Sequence, residues 1–129
     1  MQTFSGGLDH ARSILESRFG YLCFRVHQLK VLGPLLAGRD VLAVLPTGAG
    51  KSLCFQVPAL LGQGLTLVIS PLISLMQDQV GALRRRGINA AYVNSQLDAE
   101  QRRTVLAAAT AGRLPLLDCA AQGLASLPP

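Results

Sequence analysis

Within five residues, Gly48-Ala49-Gly50-Lys51-Ser52 bring together two glycines, an ammonium and a hydroxyl. That set suits a polyphosphate. Glycines let the backbone bend sharply or approach a ligand closely. The amides and dipole at a helix N-terminus attract an anion. Lys51 adds a mobile charge for β- and γ-phosphates, and the Ser52 hydroxyl is a ligand for Mg²⁺. Such a loop needs a strand before it and a helix after it. Val41 to Leu45 is a short apolar run closed by Pro46, which reads as a buried strand. From Lys51 onward Leu53, Val57, Leu60 and Leu61 take near-helical spacing. The usual phosphate-loop pattern leaves four residues between its first glycine and the Gly-Lys-Ser. Leu45 holds that first position here, so the loop has the form Pro46-Thr47-Gly48-Ala49-Gly50-Lys51-Ser52. A glycine-rich turn with an incidental lysine is the competing reading, and the strand-loop-helix context disfavours it.

The chain around this loop has 129 residues, enough for one domain and short for an α/β domain. Half the residues are hydrophobic and 15% are charged, which excludes a disordered chain. No apolar run reaches the roughly 18 residues that a bilayer requires. The N-terminus lacks a basic stretch followed by an apolar core, so a cytoplasmic protein is expected. Twelve basic against seven acidic residues give a net charge of +5, which favours a polyanionic partner without identifying one. Cys23, Cys54 and Cys119 lack metal-ligand spacing and are odd in number, so they read as reduced, small apolar residues.

Taken in order, Met1 to Gly7 reads as a frayed end. Leu8, Ala11, Ile14, Leu15 and Phe19 predict a first helix stopped by Gly20. Leu29, Leu32, Leu35 and Leu36 predict a second. The turn between them carries Tyr21, Arg25 and Gln28. An aromatic face can stack on a base and a glutamine amide can pair with its edge; on spacing alone, a core tyrosine and a solvated glutamine are the better reading. His10 and His27 are isolated in the sequence pattern and default to structural or surface roles. Leu65 to Ser70 predicts a strand, and Pro71 to Val80 a helix capped by Ser70, with Leu72, Leu75, Met76, Gln79 and Leu83 inward. Arg84-Arg85-Arg86 close that helix at its negative end, and a solvated charge run is at least as good a reading as DNA contact. Ile88 to Val93 predicts a third strand, Leu97 to Ala111 an alanine-rich helix with Arg102 and Arg103 on one face, and Leu114 to Leu117 a fourth strand. Alternation of this kind predicts parallel βαβ units. Asp118 to Pro129 reads as a tail with little order.

Three stretches together carry a resemblance. They are Phe19-Gly20-Tyr21 with Phe24-Arg25 and Gln28, then Leu45 to Leu60, then Val68 to Val80. In that order and spacing they resemble the RecQ family of DNA helicases, over about Leu8 to Leu117, and the Pro-Thr-Gly-x-Gly-Lys-Ser loop is common in helicases of superfamily 2. The resemblance implies an α/β fold, the parallel sheet and flanking helices of a RecA-like P-loop NTPase, here truncated. Residues 1–117 would be the N-terminal part of that domain and 118–129 a divergent tail. It also implies ATP and Mg²⁺ as cofactors. Tyr21 and Gln28 would hold the adenine with Arg25 beside them in the ATP site, Pro46 to Ser52 the phosphates, and Ser52 the metal, with Lys51 as the catalytic residue. Ser70, Pro71, Leu72, Asn94 and Ser95 would contact single-stranded DNA. Family members translocate 3′ to 5′ and unwind duplexes in repair and recombination.

The departures are equally specific. Where the family continues as an aromatic strand into Pro-Glu-Arg, this chain has Asp118-Cys119-Ala120-Ala121-Gln122-Gly123-Leu124. No Asp-Glu-x-His box, second RecA-like domain or arginine finger is present in these residues. The expectation is a truncated or frameshifted product that binds nucleotide weakly, hydrolyses it negligibly and leaves apolar strand edges uncovered. Two other readings stand beside it: a non-catalytic nucleotide- or nucleic-acid-binding remnant, and a small phosphate-loop kinase. The Gln28 turn and Ser70-Pro71-Leu72 give no reason for the kinase.

Overall fold

The computed structural model describes residues 7–46, 48, 50–62 and 64–120. Thr47, Ala49 and residues 121–129 lie outside that set, as does most of the predicted frayed end. The chain divides into two compact units, residues 1–64 and 65–129.

Among its described residues the regular elements of the first unit are helices joined by irregular chain. α1 (Gly7–Ile14) runs on as a π-helical turn, Leu15–Phe19, that ends at Gly20 with φ of +78°. Ala11, Leu15 and Phe19 recur every fourth residue and are all buried, so the first apolar stripe is realised with its predicted stop. α2 (Val26–Leu36) and α3 (Leu53–Leu61) follow, with Leu32, Val57, Ala59 and Leu61 inside. The predicted strand at Val41 to Leu45 does not form. These residues carry no regular structure, and Leu42 and Val44 are 94% and 90% exposed. An extended run becomes a strand only by hydrogen bonding to a neighbouring one, and this unit shows no strand among its described residues.

In the second unit the sequence alternates as predicted: β1 (Thr66–Ser70), α4 (Ile73–Arg85), β2 (Ala90–Val93), α5 (Ala99–Thr110) and β3 (Leu116–Ala120). The three strands form one parallel sheet in the order β1-β3-β2. With right-handed crossovers, two steps across and one step back put α4 and α5 on opposite faces. Ala91, Val93 and Leu117 form the core on the α5 side, packed against Val105, Leu106 and Ala109. Parallel strands covered on both faces read as near-continuous apolar runs, and β3, the central strand, is buried throughout.

Two predicted details shift. The buried stripe of α4 is Met76, Val80 and Leu83, while Leu72 and Leu75 are 54% and 45% exposed. Positions 76, 80 and 83 define the inward face at helical spacing, and Leu72 lies before the first turn as the N-cap residue. β3 also extends through Asp118, Cys119 and Ala120, so the first three residues of the supposed tail are ladder residues rather than unordered chain.

Candidate nucleotide and nucleic-acid sites

Each unit carries one set of the chemistry-bearing residues. In the first, Arg25 is the N-cap residue of α2 and Gln28 sits in its first turn. The Arg25 backbone N–H donates to Gln28 Oε1 at 2.8 Å, the return half of a capping box. Both side chains then cross to the glycine loop. Arg25 Nη1 donates to the Gly48 carbonyl at 3.0 Å and Gln28 Nε2 to the Gly50 carbonyl at 3.1 Å. Partners 22 and 23 residues apart in sequence thus meet at the loop.

Gly50 has a φ of +75°, the left-handed region that favours glycine, and a β-carbon there would sit 2.5 Å from Gln28 Nε2, the movable end of that side chain. Gly48 also adopts a positive φ of 84°, with open space around it. Beyond the loop the carbonyls of Lys51 and Ser52 accept from Cys54, Phe55 and Gln56, winding the chain into α3. Lys51 is exposed, and the half-buried Ser52 makes no side-chain cap. Its hydroxyl is therefore unengaged as a cap and suits one position on a phosphate-bound Mg²⁺, an ion that keeps mostly phosphate and water oxygens. Among the described residues no group of three His, Cys, Asp or Glu side chains could hold a metal.

Of the sequence-derived nucleotide residues, Arg25, Gln28, Gly48 and Gly50 are in mutual contact. Tyr21 and Pro46 are exposed nearby in sequence, Lys51 and Ser52 follow the loop, and Thr47 and Ala49 fall outside the described residues. Gln28 is 3% exposed, so it is not a solvated helix residue.

In the second unit, Ser70 ends β1, and Asn94 directly follows β2. Both therefore lie at the carboxyl end of the sheet, where ligands of open α/β sheets bind. Ser70 Oγ accepts from the Leu72 N–H at 3.3 Å, fixing the turn that leaves Pro71 and Leu72 on the surface. Ser95 is exposed, whereas Asn94 is 1% exposed. The Asn94 amide points inward: Oδ1 accepts from the Gln96 N–H at 2.9 Å, and Nδ2 lies 3.9 Å from Met76 Sδ. Its position suits shaping the loop. A second link, Gln77 Nε2 to Gln96 Oε1 at 3.1 Å, also joins α4 to this loop, and no pattern in the sequence signals it.

Arg84, Arg85 and Arg86 are all exposed, and Arg84 Nε donates to the Ala90 carbonyl at 2.9 Å, which gives it a structural task. Two cavities of this unit, about 420 and 380 Å³, are lined by Arg84, Thr104 and Val105 and by none of the residues assigned to DNA. Cys54 and Cys119 are buried, which raises their thiol pKa values, and Cys23 is a free, exposed thiol. Asp118 is 1% exposed, and its Oδ1 has no partner among the described residues; burial raises its pKa, opposed by a hydrogen bond from the Cys119 backbone.

Comparison with known proteins agrees with the three sequence stretches. The family model described as DEAD/DEAH box helicase matches residues 25–117. The chain is 53% identical over 114 residues to the ATP-dependent DNA helicase RecQ of Synechocystis, covering 88% of this chain and 24% of that protein. It is 52% identical over 107 residues to the protein of the same name from Haemophilus influenzae, covering 83% and 17%. With the rat ATP-dependent DNA helicase Q1 it shares 45% over 97 residues, 75% and 15% of the two chains. The chain thus spans between about a seventh and a quarter of the length of these relatives.

Proposed function

Because the chain belongs to the DEAD/DEAH box helicase family, we propose that it carries the ATP-gripping part and a portion of the DNA track of a RecQ-type helicase. In this reading Tyr21 and Gln28 hold the adenine with Arg25 beside them, and Pro46 to Ser52 enclose the phosphates. Lys51 neutralises the transferred group, and Ser52 ligates Mg²⁺. Ser70, Pro71, Leu72 and Ser95 face single-stranded DNA, with Asn94 supporting the last of them. The parent activity is 3′ to 5′ translocation and duplex unwinding in repair and recombination, at the nucleoid of a bacterial cytoplasm. The observation that carries the reading is the pair of hydrogen bonds from Arg25 and Gln28 to the Gly48 and Gly50 carbonyls. They support the reading by joining the Arg25–Gln28 turn to the glycine loop. No helix among the described residues is long and apolar enough to cross a membrane.

Phosphoryl transfer is mostly positioning and charge stabilisation. This sequence holds a cradle, a lysine and a hydroxyl, and no Asp-Glu-x-His run to hold the metal and the attacking water. An arginine finger alone contributes about 10³ to 10⁵ in rate. The isolated chain is therefore expected to bind Mg²⁺-ATP and to turn it over negligibly. The test is ATP hydrolysis with and without single-stranded DNA, against Lys51→Ala. Absence of lysine-dependent turnover, with single-stranded DNA binding that weakens steeply with salt, is the expected result. DNA-stimulated turnover that Lys51→Ala abolishes would overturn the half-site account.

A further inference from the structure

The two turns assigned to single-stranded DNA are not adjacent in the sheet. Ser70 ends β1 and Asn94 follows β2, with β3 between the two strands, so roughly 10 Å separates the strands themselves. One exposed contact bridges the elements on either side. Gln77, in the second turn of α4, donates from Nε2 to Gln96 Oε1 at 3.1 Å. α4 leaves the Ser70 turn, and Gln96 belongs to the turn after β2. Gln96 is held through its backbone as well: its N–H donates to Asn94 Oδ1 at 2.9 Å, and the Leu97 N–H donates to the Asn94 carbonyl at 3.3 Å. Ser95 is thus the exposed corner of a turn fixed from the buried Asn94 on one side and from α4 on the other.

Both glutamine side chains are exposed. Water competes for such a bond, and two long side chains lose rotamer freedom in making it, so it adds little to the stability of the fold. Its consequence is one of orientation. With Oε1 engaged by Gln77, Gln96 Nε2 is the end of the amide that faces solvent, one residue from the Ser95 hydroxyl. Glutamine amides and serine hydroxyls are ordinary donors to the phosphate oxygens of nucleic acid. We propose that Gln96 contacts the phosphate backbone of single-stranded DNA beside Ser95, and that Gln77 is a positioning residue that holds the Gln96 amide with its donor outward. The inference rests on the DNA-binding reading above and extends it from the two turns to the link between them. Because neither glutamine carries charge, the contact releases no counterion, and because it is made to phosphate it reads no base.

Binding of a fluorescent thymidine oligonucleotide to the full chain, followed by anisotropy across a salt series, separates these roles. Gln96→Ala should weaken binding about two- to tenfold, the range of one net hydrogen bond, with the slope of log affinity against log salt unchanged. Gln77→Ala should weaken it by about two- to fivefold. The double variant should match Gln96→Ala, since Gln77 acts only through the Gln96 amide. Denaturation midpoints should stay at the wild-type value, as for other surface substitutions, which a merely structural role would not allow. Unchanged affinity in either single variant, additive losses in the double variant, or losses that follow a lowered midpoint would each overturn the proposal while the wild type's own binding upholds the DNA-binding reading. Failure of the wild type to bind the oligonucleotide would overturn that reading, and the proposal with it.

Discussion

Val41–Leu45 and Leu116–Ala120 are runs of equal length that the molecule treats in opposite ways. The first is Val-Leu-Ala-Val-Leu, with no polar side chain, yet Leu42 and Val44 stand almost fully in solvent. The second contains Asp118 and is buried at every position. What separates them is company. β3 has β1 on one side and β2 on the other, with partners in register along its length, and residues of α5 cover the core beside it. Val41–Leu45 joins no ladder among the described residues. Strand formation belongs to the pair rather than to the segment. A central strand gathers enough support to carry a buried carboxyl group inside with it.

The largest effect that tests this contrast is in β3. Leu117→Ala removes a 1% exposed side chain from the α5-side core and should cost about 2–5 kcal/mol in denaturant unfolding of the chain. A loss under about 0.5 kcal/mol, the range of surface substitutions, would mean that β3 is not the centre of the sheet.

Asp118→Val sharpens the same point with the sign reversed. It removes a buried oxygen that has no partner among the described residues and should stabilise the fold by about 1–3 kcal/mol, the usual cost of leaving such a group unsatisfied. The pH dependence follows from the raised carboxyl pKa. Folded protein holds the proton where unfolded chain has released it. Stability from this residue is therefore fully present below the ordinary aspartate pKa of about 3.9 and is lost as pH rises through the folded value. Relative to Asp118→Asn, the wild type should gain stability on acidification across that window. An opposite slope would show Asp118 ionised and paired.

Asp98→Ala is a smaller cut into the helix that covers β3. Asp98 Oδ1 accepts from the Gln101 N–H at 2.7 Å and Gln101 Oε1 from the Asp98 N–H at 3.0 Å, a complete capping box on α5. Its loss should cost about 1 kcal/mol, read as a lowered denaturation midpoint with unchanged m-value. The smallest effect belongs to the other run. Leu42→Ser should leave stability within about 0.5 kcal/mol and raise solubility. A loss comparable with Leu117→Ala would show that Val41–Leu45 is buried after all.

Local patterns made much of this legible. Helical spacing marked out α1 through Ala11, Leu15 and Phe19, and Gly20 marked its end. The alternation from Leu65 to Leu117 announced the parallel sheet, because short apolar runs between helices leave little else to build. The Asp98-x-x-Gln101 box is likewise a cap that residue types and spacing alone make readable. Pairing was not legible: nothing within Val41–Leu45 or Leu116–Ala120 says which will find neighbours, since that depends on segments far away in sequence. The candidate site divides likewise. The glycine loop, Arg25 and Gln28 stood out by type and spacing, while the inward turn of Asn94 and the Gln77–Gln96 link arise from packing between α4 and the loop after β2.

The most direct test of the account is equilibrium binding of Mg²⁺-ATP to the purified chain and to Lys51→Ala. The account predicts one saturable site per chain, with affinity reduced on the order of tenfold or more by the substitution, equivalent to about 1.4 kcal/mol or greater. Binding that Lys51→Ala leaves unchanged, or no binding by the wild type, would contradict it.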